Sequence, residues 1–163
     1  MNLEPPQVVG VTGHQSLTPN TVVMVRKQLL DALSPRGSVR GLTSLARGTD
    51  QIFAVCVLEL GGQITAVIPS HGYETSFTTQ DDAAQFRRLL EAATEVIQLP
   101  FLEPVQEAFW AAGKEIVDRC DLLLAVWDGE PAGGLGGTAD VVRYARDRGR
   151  PVEVIWPMGA ARP

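Results

Sequence analysis

The sequence predicts an α/β protein, a Rossmann-like three-layer α/β/α sandwich with a mostly parallel sheet. Short apolar segments alternate with longer helical segments along the 163 residues, which is the pattern of repeated βαβ units. The segments VVGVT and LLLAVW are apolar at successive positions rather than at every second one. Strands covered by helices on both faces have this composition, so we expect the sheet to lie between two helical layers.

The first half of the chain contains two strand–helix pairs and a third strand. VVGVT at residues 8–12 is the first strand. Thr18 followed by Pro19 marks the start of the first helix, and Pro35 and Gly37 end it, because these residue types favour helix ends. GLTSLA is the second strand, and RGTD leads into the apolar helix QIFAVCVLEL, which a glycine pair closes. QITAVIP, rich in β-branched residues, is the third strand.

The second half continues the alternation. The irregular segment SHGYETSFTTQ leads to a helix at residues 81–93, EVIQLP is a short fourth strand, and VQEAFWAAGKEIVDRC is the next helix. LLLAVWD at residues 122–128 is the most hydrophobic strand, and a glycine-rich segment joins it to a helix that ends near Arg148. PVEVIW is the last strand. We predict a single domain over residues 1–157 and a frayed tail over residues 158–163.

Composition favours a soluble protein of the cytoplasm. The formal net charge of −5 argues against a nucleic-acid partner, since binding to the phosphate backbone usually leaves a basic surface. No apolar run approaches the roughly 20 residues of a membrane span, and MNLEPPQ lacks the form of a signal peptide. Cys56 and Cys120 lie in apolar stretches and are expected to be buried, reduced thiols. No group of residues has metal-ligand spacing, so we expect no metal and no cofactor.

Rossmann-like sheets bind ligands at the carboxyl ends of their strands, which directs attention to the loops after the strands. The first such loop, GVTGHQS, lacks the G-x-G-x-x-G fingerprint of dinucleotide-dependent dehydrogenases. Thr12, Gly13 and His14 are nevertheless small or polar and could line a pocket there. The alternative is a tight turn in which His14 faces solvent.

The second loop, SLARGTD, stands directly before a helix. Arg47 and the amides around Gly48, next to Ala46, could hold an anion at the helix N-terminus. Asp50 lies in the first helical turn. There a carboxylate either stabilises the helix dipole or accepts hydrogen bonds from ribose hydroxyls.

The third loop belongs to the segment DGEPAGGLGGTADVVRYA. Gly134, Gly136 and Gly137 expose the backbone just before a helix that Thr138 could cap. Ordering several glycines is entropically costly, so their number favours a phosphate cradle of consecutive amides over a mobile loop. The amides of Gly136, Gly137 and Thr138 are the expected phosphate donors.

Four further side chains could complete the pocket. Trp127 and Asp128 end the most hydrophobic strand, and Asp128 could face a sugar or the amides of its own loop. His71 and Tyr73 lie in the long polar loop and could fold over a base as a lid. For Tyr73 the alternative is packing on the surface of the domain.

Two long segments resemble known families. SLARGTDQIFAVCVLELGGQITAVIP is similar to the DNA-processing protein A (Smf) family, whose Rossmann-like core carries a comparable G-x-A-R-G-[IT]-D turn. CDLLLAVWDGEPAGGLGGTADVVRYARDRGRPVEVI resembles the Lonely Guy nucleoside-phosphate hydrolases, once called lysine-decarboxylase-like, with their P-G-G-x-G-T-x-E-E motif. Together the segments indicate the SLOG superfamily, which joins the two families, over residues 8–155.

The resemblance implies a site for phosphorylated ribosides in these same loops, and a homo-oligomer with Phe109 and Trp110 as contacts. In the hydrolases a Glu of the glycine motif and an Arg of the preceding helix act on the N-glycosidic bond. This chain has Asp140 at the acidic position and Lys114 near the place of the Arg, so these two are the candidate catalytic residues. Asp is one methylene shorter than Glu, and Lys lacks the planar fork of Arg, which favours binding over hydrolysis.

We therefore expect a protein that binds or senses a phosphorylated nucleoside or nucleotide derivative at the carboxyl edge of the sheet. A nucleoside 5′-monophosphate phosphoribohydrolase that cleaves an N-glycosidic bond is the alternative. A DNA-binding protein of the DNA-processing type is a lesser alternative.

Overall fold

Strands and helices alternate along the chain as the sequence predicts. The structure is a computed structural model that describes residues 5–163. The strands are β1 (Val8–Gly13), β2 (Arg40–Thr43), β3 (Gln63–Ser70), β4 (Glu95–Phe101), β5 (Leu122–Val126) and β6 (Val152–Ile155). The helices are α1 (Pro19–Leu33), α2 (Thr49–Glu59), α3 (Gln80–Ala92), α4 (Gln106–Arg119) and α5 (Thr138–Asp147). Short 3-10 helices follow α1 and β3, at Ser34–Arg36 and Tyr73–Ser76.

The strands of the described chain form one sheet in the order β4-β3-β2-β1-β5-β6, and every pair of neighbours is parallel. The predicted Rossmann-like α/β fold is therefore confirmed. The chain moves outward from β1 to β4 and then returns to place β5 on the other side of β1, with Gly13 opposite Val126. The strand order reverses between β1 and β5, and ligands bind outside such a switch point in open α/β sheets.

Helices cover both faces of the sheet. One face packs against α1, α2 and α3, where Leu29 and Phe53 are fully buried. The other face packs against α4 and α5, where Ile116 and Val141 are buried. Every residue of β5 is buried, because this central strand has helices on both sides. This double burial explains why the strand is apolar at successive positions.

The helix starts agree with the sequence at α1 and differ from it at α5. Thr18 is the N-cap of α1, its hydroxyl accepts the Thr21 amide at 3.4 Å, and Pro19 is the first helical residue. At α5 the N-cap is Gly137, and Thr138 is already the first residue of the helix. The expectation that Thr138 caps this helix is wrong. Its place inside the helix leaves the capping position to a residue without a side chain.

The sequence predicts a frayed tail over residues 158–163. In the structure this segment lies against the start of α1. The Ala161 carbonyl accepts the Thr18 amide at 3.2 Å, and the Ala161 amide donates to the hydroxyl of the buried Thr21 at 2.8 Å. Arg162 then reaches Asp128, with 3.2 Å between Nη1 and Oδ2. Contacts with residues far away in sequence hold the segment, and sequence patterns carry no sign of them. Residues 1–4 of the predicted domain lie outside the described residues.

Two findings concern the apolar segments. Within residues 5–163 no helix is both long enough and apolar enough to cross a membrane. Cys56 and Cys120 are free and buried, as predicted, and burial raises the pKa of each thiol to about 11. Both cysteines are therefore protonated core residues at neutral pH.

Candidate functional site

A cavity of about 530 Å³ opens at the carboxyl edge of the sheet, above the switch point between β1 and β5. The loops after β1, β2 and β5 form most of its wall, as the sequence predicts. Ligand pockets in proteins commonly have volumes of about 300–1,000 Å³, so a small organic ligand fits this space.

Most of the predicted site residues meet in this cavity. Those that line it are Thr12, Gly13, His14, Ala46, Arg47, Asp50, Tyr73, Trp127, Gly136, Gly137 and Thr138. Those that lie beside it or elsewhere are Gly48, His71, Lys114, Asp128, Gly134 and Asp140. The structure thus brings residues from three separate loops to one place.

The turn after β1 is held by packing against the start of α2. A Cβ atom on Gly13 would lie 2.5 Å from Cγ2 of Thr49, so only glycine fits there. The Thr49 hydroxyl donates to the His14 carbonyl at 2.9 Å. Gly13 is therefore needed for the close approach of the first two loops, in addition to any contact with a ligand.

His14 is a largely buried imidazole and not the solvent-facing side chain of the alternative. Its ring lies edge-on to Trp156, with 5.6 Å between the ring centroids. Nε2 accepts the Asp128 amide at 3.1 Å and also lies 3.2 Å from Oδ1 of that residue. The amide always carries its hydrogen, so the ring nitrogen is the acceptor and the ring proton lies on Nδ1.

The charges around His14 agree with a neutral ring. Burial and the nearby Arg162 guanidinium lower the pKa of His14 below its usual value, although Asp128 acts in the opposite direction. For Asp128 burial acts to raise the pKa, but hydrogen bonds from the Glu130 amide and Arg162, together with the positive charge of Arg162, outweigh it and lower the pKa. Near pH 7 the site thus contains a neutral imidazole beside a carboxylate that is paired with an arginine.

The turn after β2 has an unusual backbone. β2 ends at Thr43, earlier than the predicted strand, because Leu45 adopts a φ of 59° and turns the chain towards α2. The buried Leu45 amide donates to the Thr43 hydroxyl at 3.0 Å. Gly48, the N-cap of α2, has a φ of 78°, and a Cβ atom there would lie 2.3 Å from the Gln15 carbonyl oxygen. Gly48 therefore serves the backbone and contacts the first loop rather than the cavity.

Arg47 extends from this turn into the cavity. One of its guanidinium nitrogens, Nη2, donates a hydrogen bond to the Ser16 hydroxyl in the first loop. In the described part of the chain no carboxylate forms an ion pair with Arg47. Its remaining donors are available to an anionic ligand.

Asp50 lies on the half-buried floor of the cavity. Its carboxylate accepts the Ala46 amide at 3.2 Å, so it closes the turn that carries Arg47. Burial raises the pKa of Asp50 to about 7, although hydrogen bonds from the Ala46 and Ser44 amides and the Thr43 hydroxyl act in the opposite direction. The charge at the bottom of the site therefore changes near neutral pH.

We expect this carboxyl group to make the stability of the protein depend on pH. The folded chain holds the Asp50 proton up to about pH 7, whereas the usual pKa is 3.8, so stability is lost as pH rises between these values. Asp50→Asn keeps an oxygen for the Ala46 amide and carries no charge. The melting temperature of this variant, measured relative to that of the wild type, should rise from pH 4 to pH 7. A difference that stays constant with pH would contradict the assignment.

Backbone amides of the glycine-rich loop after β5 form hydrogen bonds within the loop and at the start of α5. Asp140, in the first turn of α5, accepts the Gly136 amide at 3.1 Å, as Asp50 does for Ala46 in the second loop. The Gly137 amide donates to the Gly134 carbonyl at 3.4 Å. Two of the three amides expected to hold phosphate therefore have acceptors within the loop. The phosphate-binding role of this loop stays a prediction, and in this structure these two amides donate to oxygens of the loop itself.

The candidate catalytic pair is not assembled in the described structure. The Asp140 carboxylate binds the Gly136 amide, and neither Asp140 nor Lys114 lines the cavity. The Lys114 ammonium lies over the Trp110 ring, 5.2 Å from its centroid. Both residues have structural contacts of their own, so their catalytic roles stay predictions without support from this geometry.

Tyr73 forms a fixed wall of the cavity rather than a lid. Its ring is buried and lies 5.4 Å, centroid to centroid, from both Phe77 and Phe86, and 6.1 Å from Phe109. His71, the other predicted lid residue, is exposed and does not line the cavity. The aromatic cluster holds the long loop in place, which the polar composition of that loop conceals.

Many of the residues that line the cavity were not predicted from the sequence, and Arg162, Ser16 and Phe109 are three of them. Arg162 comes from the supposed tail and lines the cavity beside Asp128. Ser16 is the partner of Arg47, and Phe109 from α4 adds an aromatic wall. The sequence shows only that the tail is rich in proline and alanine, and this composition does not indicate a binding residue. Within residues 5–163 no group of three potential metal ligands lies close enough together to hold a metal ion.

Comparisons with known proteins identify the fold. No protein-family model matches the sequence, and no curated protein matches it. DNA processing protein A from Streptococcus pneumoniae is 20% identical with a TM-score of 0.67, over 93% of this chain and 50% of that one. DNA processing protein A from Helicobacter pylori, in a structure that concerns its single-stranded DNA binding mode, is 17% identical with a TM-score of 0.66, over 93% of this chain and 66% of that one. The molybdenum cofactor binding protein from Rippkaea orientalis is 20% identical with a TM-score of 0.59, over 92% and 76% of the two chains.

These likenesses show a shared Rossmann-like fold. The chain spans half the length of the first DNA processing protein and 66% of the second. The expectation that nucleic acid is not a partner stays a prediction. The homo-oligomer also stays a prediction. The two residues expected as its contacts pack within the chain, where Phe109 faces Tyr73 and Trp110 faces Tyr144.

Proposed function

We propose that this protein binds a phosphorylated nucleoside or nucleotide derivative at the carboxyl edge of its sheet. The observation that carries the proposal is the position of Arg47. Its guanidinium lines the cavity at the switch point, is oriented by Ser16, and forms no ion pair with a carboxylate in the described chain. An arginine that has free donors in a concave site is suited to the planar recognition of a phosphate group.

The N-termini of two helices near the cavity add partial positive charge to the part of the site that contains Arg47. Thr138, the first residue of α5, lines the cavity beside Gly137, and Thr49, the first residue of α2, lies two residues after Arg47. Helix N-termini carry a partial positive charge that favours anions. The carboxylates of Asp50 and Asp140 occupy one amide in each of these loops, so Arg47 is the main phosphate donor and the helix ends assist it.

The rest of the cavity suits a nucleoside. Tyr73, Phe77, Phe109 and Trp127 give it aromatic and apolar walls, which favour the faces of a base. His14 and Arg47 add polar groups to these walls. This mixture of apolar walls and a few polar groups is the composition of a small-molecule site.

Some proteins with a similar fold bind a small cofactor or DNA, which supports binding of a nucleotide-like ligand but does not identify it. One of the similar structures is a molybdenum cofactor binding protein, and others are DNA processing proteins. Since this chain spans only part of the DNA processing proteins, their activity as whole proteins is not transferred to it. The proposal therefore depends on the geometry of Arg47 and the cavity.

Thermal unfolding in the presence of AMP, ADP, adenosine and inorganic phosphate tests the proposal. A ligand that binds only the folded state contributes about 2.7 kcal/mol at a concentration of one hundred times Kd, which raises Tm by roughly 5–10 °C in a chain of this size. We expect this shift with AMP and ADP, and a smaller one with adenosine. Equal shifts with AMP and adenosine, or no shift with any of them at millimolar concentration, would contradict the proposal.

A further inference from the structure

A second cavity lies beside the first and shares part of its wall. It has a volume of about 560 Å³ and lies between α1, α2 and the start of α3. Gln15, Ser16 and Arg47 line both cavities. The hydrogen bond from Arg47 to Ser16 therefore stands at the boundary between the two spaces.

The second cavity has the composition of a binding groove. Its apolar side consists of Leu17 and Val22 from the chain around the start of α1, and of Ile52 and Val55 from α2. Each of these side chains is half-buried, so each presents part of its apolar surface to the groove. A flat ring could pack against this surface with its polar atoms turned to water.

The polar side of the groove comes from α1, α2 and α3 and includes the charged residues Arg26 and Asp82. Gln51 donates from Nε2 to the carbonyls of Leu45 and Asp82, at 3.2 and 3.1 Å, and so fixes the two helices relative to each other. Gln85 also lines the groove, and its side-chain oxygen accepts two hydrogen bonds from Arg88, which leaves its amide nitrogen as a donor. The groove is thus held in shape and offers hydrogen-bonding groups next to an apolar surface.

Arg47 occupies the middle of the combined site and not one end of it. A guanidinium has five donors, and one of them is used by Ser16. A phosphate bound there would have one cavity on each side. We propose that the second cavity is a second subsite and that the ligand is a dinucleotide, whose two nucleosides are joined through a pyrophosphate held by Arg47. This inference depends on the proposed function, since the first nucleoside occupies the first cavity.

Diadenosine pyrophosphate, ADP and AMP are the probes, because they differ only in the second nucleoside and in the number of phosphates. Isothermal titration calorimetry with the full chain measures each Kd. We expect diadenosine pyrophosphate to bind at least about tenfold more tightly than ADP, since the second base would bury apolar surface against Leu17, Val22, Ile52 and Val55.

Val22→Asp places a charge in the groove, and Val23→Asp is the matched control. Val23 is the next residue of α1 and is 68% exposed, and it does not line the groove. We expect Val22→Asp to weaken diadenosine pyrophosphate about tenfold and to leave AMP unchanged, while Val23→Asp changes neither. Val55→Thr keeps the shape of the side chain and should weaken the dinucleotide about threefold, so that the test does not depend on the charged variant folding well.

The outcomes separate the two proposals. If AMP and ADP do not bind the wild type, the proposed function fails. If they bind and diadenosine pyrophosphate binds no more tightly than ADP, only the second subsite is overturned. Equal losses for AMP and the dinucleotide in Val22→Asp would overturn it too. The second subsite would also be overturned if an oligodeoxyadenylate displaced diadenosine pyrophosphate and bound more tightly as the oligonucleotide became longer. A nucleic-acid strand would then be the occupant of the groove.

Discussion

Replacing Arg47 with alanine is expected to weaken AMP binding about hundredfold. The guanidinium lines the cavity, is oriented by Ser16 and has no carboxylate partner in the described chain. Hydrogen bonds between charged groups contribute about 1.5–3 kcal/mol each, and a loss of about 2.7 kcal/mol corresponds to a factor of one hundred in Kd. The loss should fall on AMP and ADP, while adenosine binding changes by less than about threefold. Calorimetric titration of the three ligands measures this contrast.

Two variants serve as controls for this experiment. Arg148→Ala removes an arginine at the end of α5 that is paired with Asp118, away from the cavity, and should leave AMP binding unchanged. Arg47→Lys keeps the charge without the planar fork and should recover only part of the affinity. If Arg47→Ala binds AMP as tightly as the wild type does, phosphate lies elsewhere in the cavity and the central observation of the proposed function is lost.

Replacing Gly48 with alanine is expected to destabilise the fold by at least about 3 kcal/mol, which lowers Tm by roughly 6–12 °C. The new Cβ atom would lie 2.3 Å from the Gln15 carbonyl oxygen, and the residue has a φ of 78°. Backbone cannot move out of the way as a flexible side chain can. The two loops that carry Ser16 and Arg47 would have to separate, so AMP binding should weaken as well. Thermal unfolding and titration measure the two effects.

Gly37→Ala separates the backbone strain from the clash. Gly37 has a φ of 72° and a ψ of −144°, close to the φ of 78° and ψ of −123° of Gly48, but no atom lies within 4 Å of a Cβ built there. The control should therefore show only the backbone strain, about 1–3 kcal/mol, with no change in AMP binding. If the two variants lose the same stability, the close approach of the first two loops is not what requires glycine at position 48.

The predictable part of this site follows from rules that act along the chain. The apolar run of β5 and the Thr18–Pro19 start of α1 depend on neighbours in sequence, so the order of strands and helices could be predicted. Parallel βαβ units place the loops after β1, β2 and β5 at one edge of the sheet. Arg47 could be predicted as a candidate because it follows a strand and precedes a helix, which is where such folds bind anions.

The role of individual loop residues could not be predicted in the same way. The glycine at position 136 looked like a phosphate donor, yet its amide binds Asp140, and the acidic residue that suggested catalysis holds the loop. Tyr73 belongs to a polar segment but packs with Phe77 and Phe86. In each case the deciding contact is with a specific atom whose distance depends on how the loop folds, and composition does not contain that distance.

The sequence by itself determined the Rossmann-like alternation and the edge of the sheet at which the loops after β1, β2 and β5 meet, and it predicted that Arg47 lies among them. Only the tertiary structure decided that Arg162 reaches Asp128, that the chain near Ala161 binds the start of α1, and that a second cavity opens beside Arg47. The physical reason is the range of the interactions involved. Periodicity and capping act over a few residues, whereas these contacts join segments that meet only after the helices have packed on the sheet.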